Sequence, residues 1–214
     1  MPLYSSELEA VLRMYIDSWR ELLKNKSVDT RYERLMNVRG SPGRNTGRLF
    51  KFLGMAAERS TLTGIHSAAI ANDVETVRYM LDNFSAYQKY NVVKIQDSTK
   101  YTALHYAAGR GQTSIINYLL SNLSQEQKYD LLKIQNEDGD TPLHRAAINM
   151  KVETVQAIIS SVSPPLLIQL LNIKNKEGQT VTDIRPELYS KLPELIIQGN
   201  VGFLSIYLLF LQND

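Results

Sequence analysis

The side chains with the most capacity for chemistry are three histidines, His66, His105 and His144, and the chain has no cysteine to accompany them. Imidazole is the usual general base near neutral pH and a common zinc ligand, so the three would matter if they converged. Without Cys there is no disulfide, no thiolate metal site, no iron–sulfur cluster and no thiol nucleophile. The second concentration is positive charge. Arg31, Arg34, Arg39, Arg44, Arg48 and Lys51 face a single acid, Glu33, in the same stretch. Such a patch could meet the phosphates of nucleic acid or an anionic membrane. Gly43 and Gly47 are out of register for a phosphate-binding loop, and Arg48 is followed by Leu49. Nor do aromatic residues interleave with the basic ones as a base-stacking surface requires. Nucleic acid is therefore disfavoured, an anionic membrane is kept as a weak alternative, and a solvated face beside a loop is the commoner reading.

The histidines lead to the elements that carry them. Thr63-Gly-Ile-His66-Ser-Ala-Ala returns as Thr102-Ala-Leu-His105-Tyr-Ala-Ala and as Thr141-Pro-Leu-His144-Arg-Ala-Ala, 39 residues apart each time. A faint fourth copy begins at Thr180. Ser85, Ser124 and Ser163 keep the same step, as do Ile95, Ile134 and Ile173. Each unit reads as a short helix with an Ala pair, then a break at Asn72 or Gly111. A second helix follows with apolar residues at helical spacing: Val74, Val77, Met80 and Leu81, then Ile115, Ile116, Leu119 and Leu120. Ser85 with Gln88 and Ser124 with Gln127 form the pattern of capping boxes. Ser163-Pro164 suits a helix start as well. A third short helix is thus predicted, closed by a polar turn such as Asn136-Glu-Asp-Gly139.

The Thr-Pro-Leu-His-x-Ala-Ala phrase, the paired helices and the Asp/Gly turn resemble the ankyrin repeat, over about residues 58–214. The family period is about 33 residues, so these units are expanded, and the extra residues are placed in the Ser-x-x-Gln stretch. The resemblance implies an all-α helical solenoid of about four repeats, 58–96, 97–135, 136–174 and 175–214. It implies that the three histidines are frame residues, hydrogen-bonded between turns and neighbouring units. It also implies a concave recognition surface of turn tips and first-helix fronts. Carried over by position, that surface includes Arg59, Ser67, Tyr101, Tyr106, Arg110, Asp140, Arg145 and Asn149. Tyr and Arg are the types that anchor interfaces. Met150 stands where the family favours Gly, so an irregular turn is expected there. Unit four, with Pro186 and Pro193, is expected to carry a lengthened first helix.

Residues 1–57 show no copy of the repeat. An amphipathic helix is predicted from Ser6 to Lys24, a second from Asp29 to Asn37 and a third from Arg48 to Ala57, together an N-terminal cap over the repeat stack. Residues 201–212 are apolar on nearly every side, which suggests burial in a C-terminal cap or self-association. The chain has 214 residues, 43% hydrophobic and 21% charged, with a net charge of +2. That composition fits a globular protein and excludes a strongly basic polymer binder. Charges run through residues 1–25, and the longest apolar run falls short of the ~20 residues that span a bilayer. A cytoplasmic protein is expected, with no cofactor, no metal site and no enzymatic activity. The expected function is a non-catalytic scaffold that binds another protein. Expanded repeats of this kind resemble those of ankyrin proteins from intracellular bacteria or symbionts, which would make it a secreted effector in a host cytosol. The alternatives are phosphate, anionic-lipid or nucleic-acid recognition through residues 31–51, or the recognition part of a longer enzyme.

Overall fold

A computed structural model describes residues 13–36, apart from 15, 18 and 22, and residues 64–186. The chain divides into two compact units, residues 1–107 and 108–214. Every regular element among the described residues is helical.

In the first unit, residues 13–23 are helical at each described position. They are followed by α1 (Val28–Met36), α2 (Gly64–Ala71), α3 (Val74–Leu81) and α4 (Ala86–Val93). Helix α5 (Ala103–Arg110) runs across the boundary. The second unit continues with α6 (Thr113–Leu120), α7 (Gln125–Leu132), α8 (Pro142–Ile148), α9 (Val152–Ser160), α10 (Pro164–Leu171) and α11 (Val181–Ile184). The repeating motif is therefore three helices, and the predicted third helix is present as α4, α7 and α10.

Local chemistry explains each start and stop. Ser85 and Ser124 close full capping boxes with Gln88 and Gln127, each hydroxyl accepting the third amide while the glutamine oxygen accepts the Ser amide. Ser163-Pro164 starts α10 as expected, with Pro164 in the first turn, where its fixed φ suits a helix start. The Ser163 side chain makes no cap bond, and its N–H donates to Gln125 Oε1 at 2.7 Å. The first helices of the first three repeats end on a left-handed residue: Asn72 (φ 57°), Gly111 (φ 78°) and Met150 (φ 54°). The turn at Met150 is thus regular, against expectation. Lys151 N–H reaches Ala146 O at 2.9 Å there, as Asp73 N–H reaches Ala68 O at 2.9 Å. These bonds hold methionine in a backbone region that costs it about 1–2 kcal/mol. The expected lengthening of the first helix in unit four is also corrected. Helix α11 stops at Ile184, because Pro186 drives the preceding residue out of the helical region, and Arg185 sits at φ −144°.

The apolar spacing becomes burial. Val77, Met80, Val92 and Val93 are fully enclosed in the first unit, and Ile115, Ile116, Leu119, Leu131, Leu132 and Ile158 in the second. Each such side chain contributes roughly 1.5–3 kcal/mol by leaving water. The small pair Ala68-Ala69 and its copy Ala146-Ala147 are fully buried, as close helix approach requires.

The N-terminal helices repeat the pattern of α3 and α4. Asn25, Ser27, Tyr32 and Leu35 stand 58 positions before Asn83, Ser85, Tyr90 and Val93. Asn25 (φ 56°) and Asn83 (φ 61°) are both left-handed, and Ser27 Oγ accepts from Thr30 N–H as Ser85 Oγ does from Gln88. Residues 13–36 are therefore the second and third helices of one more unit. Within the first unit they dock on the repeat that follows through Trp19, which lies over Gly64 so closely that a Cβ there would stand 2.7 Å from Trp19 Cγ. Gly64 replaces the Ala103 and Pro142 of later units because the indole needs that space. Arg31 completes the join, donating to Tyr79 O at 2.8 Å and Asp82 O at 2.7 Å over the Phe84 ring. It is buried, which removes it from the exposed basic patch. The side chains of Arg34, Arg39, Arg44, Arg48 and Lys51, the predicted third N-terminal helix, and residues 201–212 lie outside the described residues.

Candidate recognition face

Two kinds of residue meet where each first helix follows its turn: one set that repeats and one that varies. The histidines belong to the first. His105 Nδ1 accepts from Thr102 N–H at 3.1 Å, and His144 Nδ1 accepts from Thr141 N–H at 3.2 Å. With Nδ1 accepting, the ring proton sits on Nε2. His144 donates it to Gln179 O at 3.3 Å, while His66 Nε2 lies 3.1 Å from Ile95 O and 3.2 Å from Tyr101 O. The His66 and His144 rings therefore pin the turn of the following repeat to their own first helix. Burial lowers the pKa of His66 and of His144, so both rings stay neutral at physiological pH. Among the described residues no three His, Cys, Asp or Glu side chains gather closely enough to hold a metal ion.

The turns share an equally regular device. Asp97 Oδ1 accepts from Thr99 N–H and Tyr101 N–H, both at 2.9 Å. Asn136 Oδ1 does the same for Asp138 and Asp140, and Asn175 Oδ1 for Glu177 and Gln179. One side-chain oxygen thus ties two amides of each turn. The left-handed position of the turn holds Lys100 (φ 60°), Gly139 (φ 78°) and Gly178 (φ 78°).

On this frame sit the variable residues, and they come in pairs. In the first unit Tyr101 and Tyr106 hold their rings 5.1 Å apart at 35°. Tyr106 Oη donates to Asp97 Oδ2 at 2.6 Å. Burial first, and then the neighbouring Asp97 carboxylate, pushes the phenol pKa upward, so it remains a donor. In the second unit the matching positions are Asp140 and Arg145. Arg145 Nη1 lies 3.3 Å from Asp140 Oδ2, and Asn175 Nδ2 donates to Asp140 Oδ1 at 3.3 Å. Asn149 Nδ2 donates to Arg145 O at 2.8 Å.

The predicted contact residues divide accordingly. Tyr101, Tyr106, Arg110, Arg145 and Asn149 are partly exposed. Ser67 is fully enclosed and Asp140 is 3% exposed, so neither offers its side chain directly to a partner. Ser67 fails because the first unit buries almost all of α2. Arg59 lies outside the described residues. Sequence reasoning missed Asp97, whose link to Tyr106 joins turn to helix; its 39-residue spacing from Asn136 was the available signal. Tyr90 and Tyr129 of the third helices are the partners of Lys94 and Lys133, whose ammonium groups lie 5.2 and 5.0 Å from the ring centres.

Compared with profiles of known families, residues 43–131 match ankyrin repeats in three copies, and residues 138–168 match an ankyrin repeat again. The chain belongs to the ankyrin-repeat family. Ankyrin repeats are protein–protein interaction modules, and here the family frame of Thr, His and Ala-Ala is kept while the first-helix fronts change. No curated protein matches the chain in sequence. No helix among the described residues of this ankyrin protein is long and apolar enough to cross a membrane.

Proposed function

We propose that the protein is a non-catalytic scaffold that binds a partner protein through the turn tips and first-helix fronts of its ankyrin repeats. The observation that carries this reading is the coupling of variable residues to a constant frame. Tyr101 and Tyr106 are held by Asp97, and Arg145 by Asp140, so the face is ordered before any partner arrives. A pre-ordered surface loses little conformational entropy on binding, and Tyr and Arg anchors supply most of the affinity. A cytoplasmic location, and a role as an effector acting on host proteins, belong to the same proposal by analogy with expanded ankyrin repeats of intracellular bacteria.

Affinity capture from cell lysate with quantitative mass spectrometry tests the reading. A partner retained by the wild type should be lost with Tyr101→Ala and Arg110→Glu, which alter partly exposed side chains and leave the Tyr101 N–H bond to Asp97 in place. Capture of every partner unchanged by both would sink it. Anionic-lipid binding by residues 31–51 is the second reading, weakened by the burial of Arg31. Liposome binding that disappears on neutralising Arg39, Arg44 and Arg48 would revive it. A light-scattering mass above that of one chain would favour self-association through residues 201–212.

A further inference from the structure

Helix α10, in the second unit, carries more apolar surface than α7, the third helix before it. Leu166 and Ile168 stand where α7 holds Gln127 and Tyr129, and Leu171 stands where α7 holds Leu132. Helices α7 and α10 pack on each other, and Leu132 is fully enclosed. Leu166, Ile168 and Leu171 are only half-buried. Leu171 therefore lacks the cover that Leu132 has. The repeat step brings a match for it from the same unit. Residues 203–210, Phe-Leu-Ser-Ile-Tyr-Leu-Leu-Phe, fall 39 positions after α10. Ile206 and Leu209 take the positions of Leu167 and Leu170, which are 3% and 0% exposed. Leu209 also shares its position with Val92 and Leu131, both fully enclosed, and Tyr207 shares that of Tyr90 and Tyr129. Phe203 follows Ile184 by 19 positions, close to the 16 between Ile148 and Pro164, so the connecting chain has the length the preceding repeat uses.

We propose that residues 203–210 seat on α10 as the third segment of the fourth repeat and cover Leu171. The apolar stretch at this end then binds its own chain, and neither a second copy nor a membrane. An apolar face at the end of a repeat stack needs such cover. A tethered segment docks without the loss of translational freedom that a second molecule must bear. The register also sorts neighbouring leucines. Leu208 falls where the earlier third helices hold Asn91, Asp130 and Gln169, and Leu204 where they hold the exposed Tyr87, Glu126 and Pro165. Leu209 faces inward and Leu208 does not.

The test compares two adjacent substitutions in the full chain. In urea denaturation Leu209→Asp should raise the unfolding constant about a hundredfold, because it buries a charge, while Leu208→Asp should leave it nearly unchanged. Leu209→Ala and Leu208→Ala should show the same order with smaller losses, which keeps the comparison usable if the aspartate variant does not fold. Coverage of α10 is read separately. The chain has no cysteine, so Leu171→Cys supplies a single thiol. That thiol should react with a maleimide about tenfold faster when Leu209→Ala is added and no faster with Leu208→Ala. Leu132→Cys, enclosed between described helices, should stay protected in both backgrounds, which separates uncovering of α10 from general unfolding. Light scattering of the wild type should give the mass of one chain at every concentration. Equal or reversed effects at 208 and 209, a Leu171→Cys thiol indifferent to Leu209→Ala, or a dimer that Leu208→Asp dissociates would overturn the proposal.

Discussion

The two units solve one problem with different atoms. Each buries a carboxylate beneath its front helix, Asp97 at 5% exposure in the first and Asp140 at 3% in the second. In the first unit the acid stands within the turn and already accepts three bonds through Oδ1, two from Thr99 and one from Tyr101, before Tyr106 reaches Oδ2. In the second, that turn position is the neutral Asn136, and the acid has moved to the turn's end, where Arg145 and Asn175 hold it at 3.3 Å. The partly exposed residue at the helix front is in both cases also the donor to a buried charge. These front residues are therefore not free to vary singly: the turn and the helix must change together.

This difference sets the largest predicted effect. Arg145→Ala removes the cation from an enclosed Asp140 and should cost about 2–4 kcal/mol in urea denaturation. Tyr106→Phe leaves Asp97 its other donors and should cost only about 1–2 kcal/mol. Equal losses would break the comparison.

The next effect is a pH dependence common to both units. His66 and His144 have folded-state pKa values below the ordinary one because burial disfavours the charged ring. The folded state therefore binds fewer protons than the unfolded chain. Their contribution is fully present above pH ~6.5 and is lost as pH falls below it, by up to about 1.4 kcal/mol per pH unit for each ring. Denaturation between pH 7.5 and 5 should show this slope, and the double variant His66→Gln/His144→Gln should be less stable but flatter across the window.

A lysine sharpens the contrast. Lys89 and Lys128 share a repeat position, but Lys89 is buried, which brings its pKa down to about 8, whereas Lys128 is half-exposed. The folded state releases the Lys89 proton earlier than the unfolded chain, so wild-type stability should rise between pH 8 and 10.5. Lys89→Met should remove that rise and Lys128→Met should leave it intact, which melting curves across the range would show.

The smallest effect concerns the turns. Lys100→Gly should stabilise by about 0.5–1 kcal/mol, since glycine adopts a left-handed φ without strain. Gly139→Ala should destabilise by more, because a Cβ would meet Lys176 N at 2.6 Å.

The frame was legible in the sequence because the features that fix it are local and periodic. Ser85 and Gln88, the Ala pairs and the apolar stripes of α3 and α6 each act within a few residues, and the 39-residue step repeats them. The units' inner wiring was harder to read. Asp97 differs in type from Asn136 and Asn175 while doing the same work for the backbone. Arg31 and Lys89 are long charged side chains whose composition says surface, and only tertiary packing encloses them. Ser67 shares its position with Tyr106 and Arg145, yet a small hydroxyl there is covered where a long side chain emerges. The N-terminal helix pair carries the same pattern at a step of 58, which a 39-residue period does not reach.

Site-specific photo-crosslinking tests the central claim most directly. A photoreactive phenylalanine analogue placed at Tyr101, at Arg110 or at Tyr87 compares the front face with a third-helix site that is 69% exposed. A discrete crosslinked partner is expected from Tyr101 and Arg110 and none from Tyr87. The same adduct from Tyr87, with none from the two front positions, would contradict it.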